Sequence, residues 1–173
     1  WIAPILSFTA QEAWESMPGD RDEFVFTSTW YDGLQELDES SKFNSAFWNR
    51  ILAFRNEANR AIETARNNQV VGGSLEAELN IYVKGDLASD LKLLGDELLI
   101  TSRADVLEQD APEGAFKAEG MDCAFTVEKS KAHKCERCWH YESDVDANPE
   151  YPGLCKRCIE NISTDDGEIR RFA

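Results

Sequence analysis

Between Ser41 and about Asn68 the apolar side chains Phe43, Phe47, Ile51, Phe54, Ala58, Ala61, Ile62 and Ala65 recur at helical spacing, while Asn49, Asn56, Arg60, Glu63 and Asn67 fall on the opposite side. That period predicts an amphipathic helix of about seven turns. It should stop before Gly72-Gly73. Glu76 to Lys84 (EAELNIYVK) then alternates Ala77, Leu79, Ile81 and Val83 with polar residues, the pattern of a half-buried strand.

Other segments are shorter. Residues 1–16 place Ile2, Ile5, Leu6, Ala10, Ala13 and Trp14 at mixed spacings of three and four, with Thr9 and Gln11-Glu12 as an N-terminal signal after Phe8, and predict a helix stopped by Met17-Pro18-Gly19. Residues 20–40 are acidic and irregular, a connection that packs locally around Phe24-Val25-Phe26 and Trp30-Tyr31. Asp86 to Gly95 reads as a short helix, Glu97 to Arg103 (ELLITSR) as a second strand, and Asp122 to Lys129 as a third. The expected architecture is α+β: a partial helical bundle over residues 1–72, a small α/β module over 73–130, and a cysteine-bearing region over 131–173.

The chain has 173 residues, 42% of them hydrophobic, enough to bury a core. It holds no apolar run of the roughly 20 residues that cross a bilayer, and Trp1-Ile2-Ala3-Pro4 lacks the basic start of a signal peptide. A soluble, cytoplasmic protein without membrane partners is expected. A start on Trp1, inside an apolar pattern, suggests a segment of a longer chain. The net charge is −15, yet it is unevenly spread. Residues 1–128 carry 24 acidic and 10 basic side chains, net −14, whereas residues 129–173 carry 9 and 8, net −1. Contact with a polyanion should therefore be local and should use the tail.

The tail also holds the strongest chemical signal. Cys135-Glu136-Arg137-Cys138 and Cys155-Lys156-Arg157-Cys158 are two CxxC pairs with sixteen residues between them. Each pair can chelate from one tight turn, and together they supply the four thiolates of a tetrahedral zinc site. Two disulfides would not suit a reducing compartment. Four cysteines leave no coordination position for water, so one structural zinc is expected, and no catalytic residue. Lys134, Arg137, Lys156 and Arg157 can offset the formal −2 charge of such a centre or contact RNA directly. Trp139, with Tyr141 beyond it, can present an aromatic face for stacking on an unpaired base, or can close the knuckle as its miniature core. Cys123 reads as a small buried apolar residue, and neither His133 nor His140 is needed as a ligand.

Several of these runs resemble a known family. WIAPILSFTAQEAWESMPG is similar to a helix and turn in the anticodon-binding bundle of class I synthetases for isoleucine, valine and leucine. FRNEANRAIETARNNQVVGGSLEAELNIYV, KCERCWHYESDV, LCKRCIENI and the closing GEIRRFA resemble the C-terminal region of bacterial-type isoleucyl-tRNA synthetases. The resemblance implies an enzyme that activates isoleucine with ATP, esterifies it to tRNA(Ile) and edits valine errors. The HIGH and KMSKS signatures of the catalytic domain are absent from this sequence. The implied role is to hold the anticodon arm for upstream catalytic and editing domains of the same polypeptide, in a monomeric parent enzyme. Candidate RNA-binding residues are Trp139, Arg137, Lys134, Lys156 and Arg157, with Arg60 on the long helix.

Two other readings share the cysteine pattern. A formamidopyrimidine-type DNA glycosylase also ends in paired CxxC motifs, but the intervening HYESDVDANPEYPG is acidic and aromatic, unsuited to duplex phosphates. A non-catalytic zinc-ribbon adaptor would bind another protein through its acidic surface.

Overall fold

The computed structural model describes residues 1–94 and 98–163. The chain divides into two compact units, Trp1–Asn44 and Ser45–Ala173. The closing GEIRRFA run lies outside the described residues. Among the described residues no helix is long and apolar enough to cross a membrane.

In the first unit, helix α1 spans Ser7–Ser16 and begins just ahead of the Thr9 signal. Residues 1–6 form turns instead, in which the Ile5 and Leu6 amides both donate to the Ile2 carbonyl. The chain then folds back along α1. Gln11 donates to the Glu23 carbonyl at 3.0 Å and accepts from the Val25 amide at 3.0 Å, while the Trp14 indole N–H donates to the Asp22 carbonyl at 2.8 Å. Residues 20–40 contain only a single 3-10 turn, Val25–Thr27, as expected of a locally packed connection.

The second unit opens with α2, Ser45–Asn67, whose buried face carries Phe47, Ile51, Phe54, Ala58, Ala61, Ile62 and Ala65. Steps of three and four residues keep these side chains on one stripe. The helix ends as Gln69 turns into the left-handed region at φ 59° and the Val70 amide donates to the Ala65 carbonyl. Strand β1, Ala77–Val83, follows with the alternating burial that its sequence predicts. Helix α3, Asp86–Leu94, returns the chain so that β2, Arg103–Leu107, pairs parallel to β1. Strands β3, Phe116–Lys117, and β4, Cys123–Lys129, complete a sheet of order β2-β1-β4-β3, with β4 antiparallel to both its neighbours.

The second strand therefore lies downstream of the expected Glu97–Arg103. Glu97 is outside the described residues, and from Leu98 to Ser102 the chain is a turn and bends. Leu99 and Thr101 are buried there while Ile100 is 59% exposed. The apolar run is spent on packing beneath the sheet: Leu98 and Leu99 line a cavity of about 210 Å³ with Phe54, Ile81 and Leu91. Pairing with β1 falls to the more polar residues that follow.

Phe54 on α2 meets Phe125 on β4 with ring centroids 5.6 Å apart. Glu57 is buried on the same helix but is not orphaned, since it accepts from the Glu119 amide at 2.8 Å and from Arg60 at 2.9 Å. A second ion pair, Arg50 with buried Asp90, joins α2 to α3. Because α2 shares its buried face with the sheet, it groups with the second unit.

Candidate metal centre

Beyond β4, the two-residue strands β5, His133–Lys134, and β6, Tyr141–Glu142, pair antiparallel with Lys134 opposite Tyr141. The turn between them carries the first cysteine pair. It is closed by the Cys135 amide donating to the His140 carbonyl at 2.8 Å and the Trp139 amide donating to the Cys135 carbonyl at 3.0 Å. The second pair sits at the start of α4, Lys156–Ser163, where the Ile159 amide donates to the Cys155 carbonyl at 3.0 Å. Gly153, at φ 78°, lets the chain turn into that helix, and its carbonyl accepts from the Glu136 amide at 2.9 Å.

The four sulfurs of Cys135, Cys138, Cys155 and Cys158 lie within 4.8 Å of one another. None is in a disulfide. The Cys138 and Cys155 sulfurs are 3.8 Å apart. A disulfide would place them at about 2.05 Å, whereas a tetrahedron of zinc–sulfur bonds of about 2.3 Å has edges of about 3.8 Å. The donor set therefore fits one structural zinc and leaves no position for a reactant. Cys135, Cys155 and Cys158 are almost fully buried, and with Val145 they form the small core of this region, flanked by Cys138 and Leu154.

Thiolate formation is uneven across the set. Burial opposes charge on Cys135, but the amides of Cys138, Cys155 and Arg137 outweigh it and bring the thiol down to about 6. Burial pushes Cys155 and Cys158 up. A dication is what makes four thiolates compatible in one buried site. Arg137 adds a positive charge from outside, with its guanidinium donating to the Cys158 sulfur at 3.6 Å.

His133 and His140 stand outside the sulfur cluster, as expected. Burial lowers the pKa of His140, with Arg157 adding to the effect. Cys123 is buried in β4 with its thiol pushed up to about 12 by desolvation, so it behaves as an inert apolar residue.

The candidate RNA-binding residues occupy different settings. Trp139 is 58% exposed and takes no part in the core, so it does not close the knuckle. Its backbone is left-handed, φ 67°, unusual for a bulky side chain. The Lys134 ammonium lies 5.1 Å from the Trp139 ring centroid, a cation–π contact. Lys156 is exposed and 3.8 Å from Glu160, and Arg157 is one residue further along α4. Arg60 is instead committed to the fold: it bridges Glu57 and Glu119 and lies 5.9 Å from the Phe116 ring centroid.

Tyr141 differs from the exposed aromatic expected. It is half-buried, its amide donates to the Ser102 hydroxyl at 2.6 Å, and its phenol lies against the Glu76 carboxylate. It faces the sheet because β6 is tethered there, and neither Ser102 nor Glu76 carries a sequence signal for this task.

The fold and site define a four-cysteine zinc-finger protein. Residues 132–161 match the family described as "Zinc finger found in FPG and IleRS". The whole chain is 49% identical to an isoleucine–tRNA ligase of Shewanella pealeana, covering 19% of that ligase. It is 48% identical over its full length to the isoleucine–tRNA ligase of Aeromonas salmonicida, covering 18%, and 45% identical over 99% of its length to that of Pectobacterium atrosepticum, covering 19%. Over its whole length the chain is thus similar to one segment of isoleucine–tRNA ligases. It spans about one-fifth of the length of the curated relatives it matches.

Proposed function

We propose that this chain is the C-terminal tRNA-binding part of an isoleucine–tRNA ligase, and that it holds the anticodon arm of tRNA(Ile) while an upstream domain performs ATP-dependent charging in the cytoplasm. The carrying observation is the similarity along the entire chain to ligases of that name, joined to a zinc finger that displays an aromatic residue among cations.

The chemistry of the finger supports nucleic acid as the partner. Trp139 is held out by a rigid four-sulfur knuckle in a backbone conformation that favours glycine, so the exposed ring is not explained by local stability. An unpaired base can stack on such a face, and a contact of this kind is worth roughly 1–3 kcal/mol. Lys134, Arg137, Lys156 and Arg157 supply positive charge to the same small region, which is nearly neutral overall while residues 1–128 repel polyanions. Arg60 is left out of the binding face because its guanidinium already serves two carboxylates.

Titration of the zinc-loaded chain with tRNA(Ile), a duplex DNA of equal charge and a noncognate tRNA tests the reading. It expects tRNA(Ile) to bind more tightly than the duplex, and the isolated chain to catalyse no isoleucine-dependent ATP–pyrophosphate exchange. Preference for the duplex would favour the glycosylase-type finger instead.

A further inference from the structure

We infer that Ser102 is a positioning residue that fixes the zinc finger on the sheet, so that Trp139 and Lys134 are presented to RNA in one orientation. The inference rests on the tRNA-binding reading above and adds the element that aims the site.

Ser102 lies just before β2, where its amide donates to the Ala77 carbonyl at 3.1 Å and so ties it to the first residue of β1. Its hydroxyl has two jobs. It donates to the Leu75 carbonyl and accepts from the Tyr141 amide at 2.6 Å. One half-buried oxygen thus connects the entry to β1, the entry to β2 and strand β6 of the finger. Glu76, at the entry to β1, adds its own ties: its carboxylate accepts from the Gly72 amide and pairs with Lys129 at 2.7 Å. The backbone adds one more tie, the Ser130 amide donating to the Glu76 carbonyl at 2.9 Å.

The connection leads directly to the proposed RNA face. Tyr141 pairs with Lys134 across the β5–β6 hairpin, and the turn between those strands carries Trp139. A finger with so small a core has few other means of fixing its direction relative to the sheet. Zinc holds the knuckle together internally. The Ser102–Tyr141 contact, with Glu76, holds the knuckle to the rest of the unit. Loss of the hydroxyl leaves the Tyr141 amide without its acceptor and frees the hairpin to swing.

The experiment is a double-mutant cycle for tRNA(Ile) affinity in the complete zinc-replete ligase that carries this segment, with zinc content and thermal midpoint recorded for each variant. Ser102→Ala should weaken binding about fivefold with zinc retained and isoleucine activation unchanged, and Ser102→Thr, which keeps the hydroxyl, should bind within about twofold of the parent. Trp139→Ala should weaken binding about tenfold, and Ser102→Ala should add nothing to it, because an absent ring cannot be misaimed. If Ser102→Ala lowers zinc content, Ser102→Val, which fills the space of threonine without the hydroxyl, replaces it in the cycle, and non-additivity with Trp139→Ala is again the expected result. Additive losses, failure of threonine to rescue, or unchanged binding in Ser102→Ala while Trp139→Ala weakens it would each overturn the positioning role alone. Unchanged binding in Trp139→Ala would instead overturn the reading of the finger on which this role depends.

Discussion

Lys134 and Trp139 meet beside the zinc knuckle, the lysine ammonium 5.1 Å from the centre of the indole ring. The pair brings a cation and an exposed aromatic face to one place before any ligand arrives. The ring is held there at a backbone cost, because Trp139 sits at φ 67°.

That cost gives the first prediction. Trp139→Gly should leave the zinc-loaded finger as stable as the parent or stabilise it by up to about 1 kcal/mol, since glycine adopts the left-handed region freely. The same change should weaken tRNA(Ile) binding about tenfold. Thermal melting and a binding titration on one preparation check both parts.

The cationic residues of α4 should act through salt. Lys156→Ala or Arg157→Ala should each lower the slope of log affinity against log salt by up to about one unit while leaving discrimination among tRNAs unchanged. A series of titrations from low to moderate ionic strength measures it. Lost discrimination with an unchanged slope would assign these side chains to base contacts.

Chelation should act locally. Because the finger's core is little more than its cysteines, Val145 and Leu154, removing zinc should abolish amide-exchange protection across residues 132–161. The sheet and the α2 face packed on it, with Leu79, Ile81, Phe125 and Phe54, should keep their protection. Metal analysis of the untreated protein should find one zinc per chain.

The carboxylates of the second unit predict its acid response. Glu57 is held below its ordinary 4.5 by the Glu119 amide and then by Arg60, Glu76 by Lys129 and then by the Gly72 amide, and Glu119 by Arg60. Each folded pKa is depressed, so each contribution is complete above about pH 4.5 and is lost as pH falls through the folded value. The difference in stability between the parent and Glu57→Gln should be constant from pH 7 to 5 and shrink below that range. Paired denaturant titrations measure it, and the comparison cancels the acid lability of the zinc site common to both.

The sequence showed most clearly those features that repeat locally. The stripe from Phe47 to Ala65 and the alternation from Ala77 to Val83 became α2 and β1 with ends shifted by a few residues. The cysteine spacing carried the metal centre, because four ligands in two tight turns are a local property. The position of strand β2 is not legible locally, since it depends on pairing with β1, and the apolar run just before it is taken up by the core around Leu99. The short strands β3, β5 and β6 are two residues each, too brief for a period to be seen. Tyr141 was expected among the exposed aromatics because nothing beside it in sequence announces Ser102 or Glu76. The pairing of Arg60 with Glu119 likewise has no sign in the sequence, because the two residues are far apart along the chain.

The central claim is that the zinc finger of this chain is a tRNA-binding surface. It is tested most directly by measuring tRNA(Ile) affinity and charging efficiency together for zinc-replete parent, Trp139→Ala and Arg137→Ala ligase. Trp139→Ala is expected to weaken binding about tenfold and Arg137→Ala to weaken it measurably, with charging falling in step and isoleucine activation unchanged. If both variants retain zinc and bind and charge tRNA(Ile) as the parent does, the finger is a structural cap and the claim is wrong.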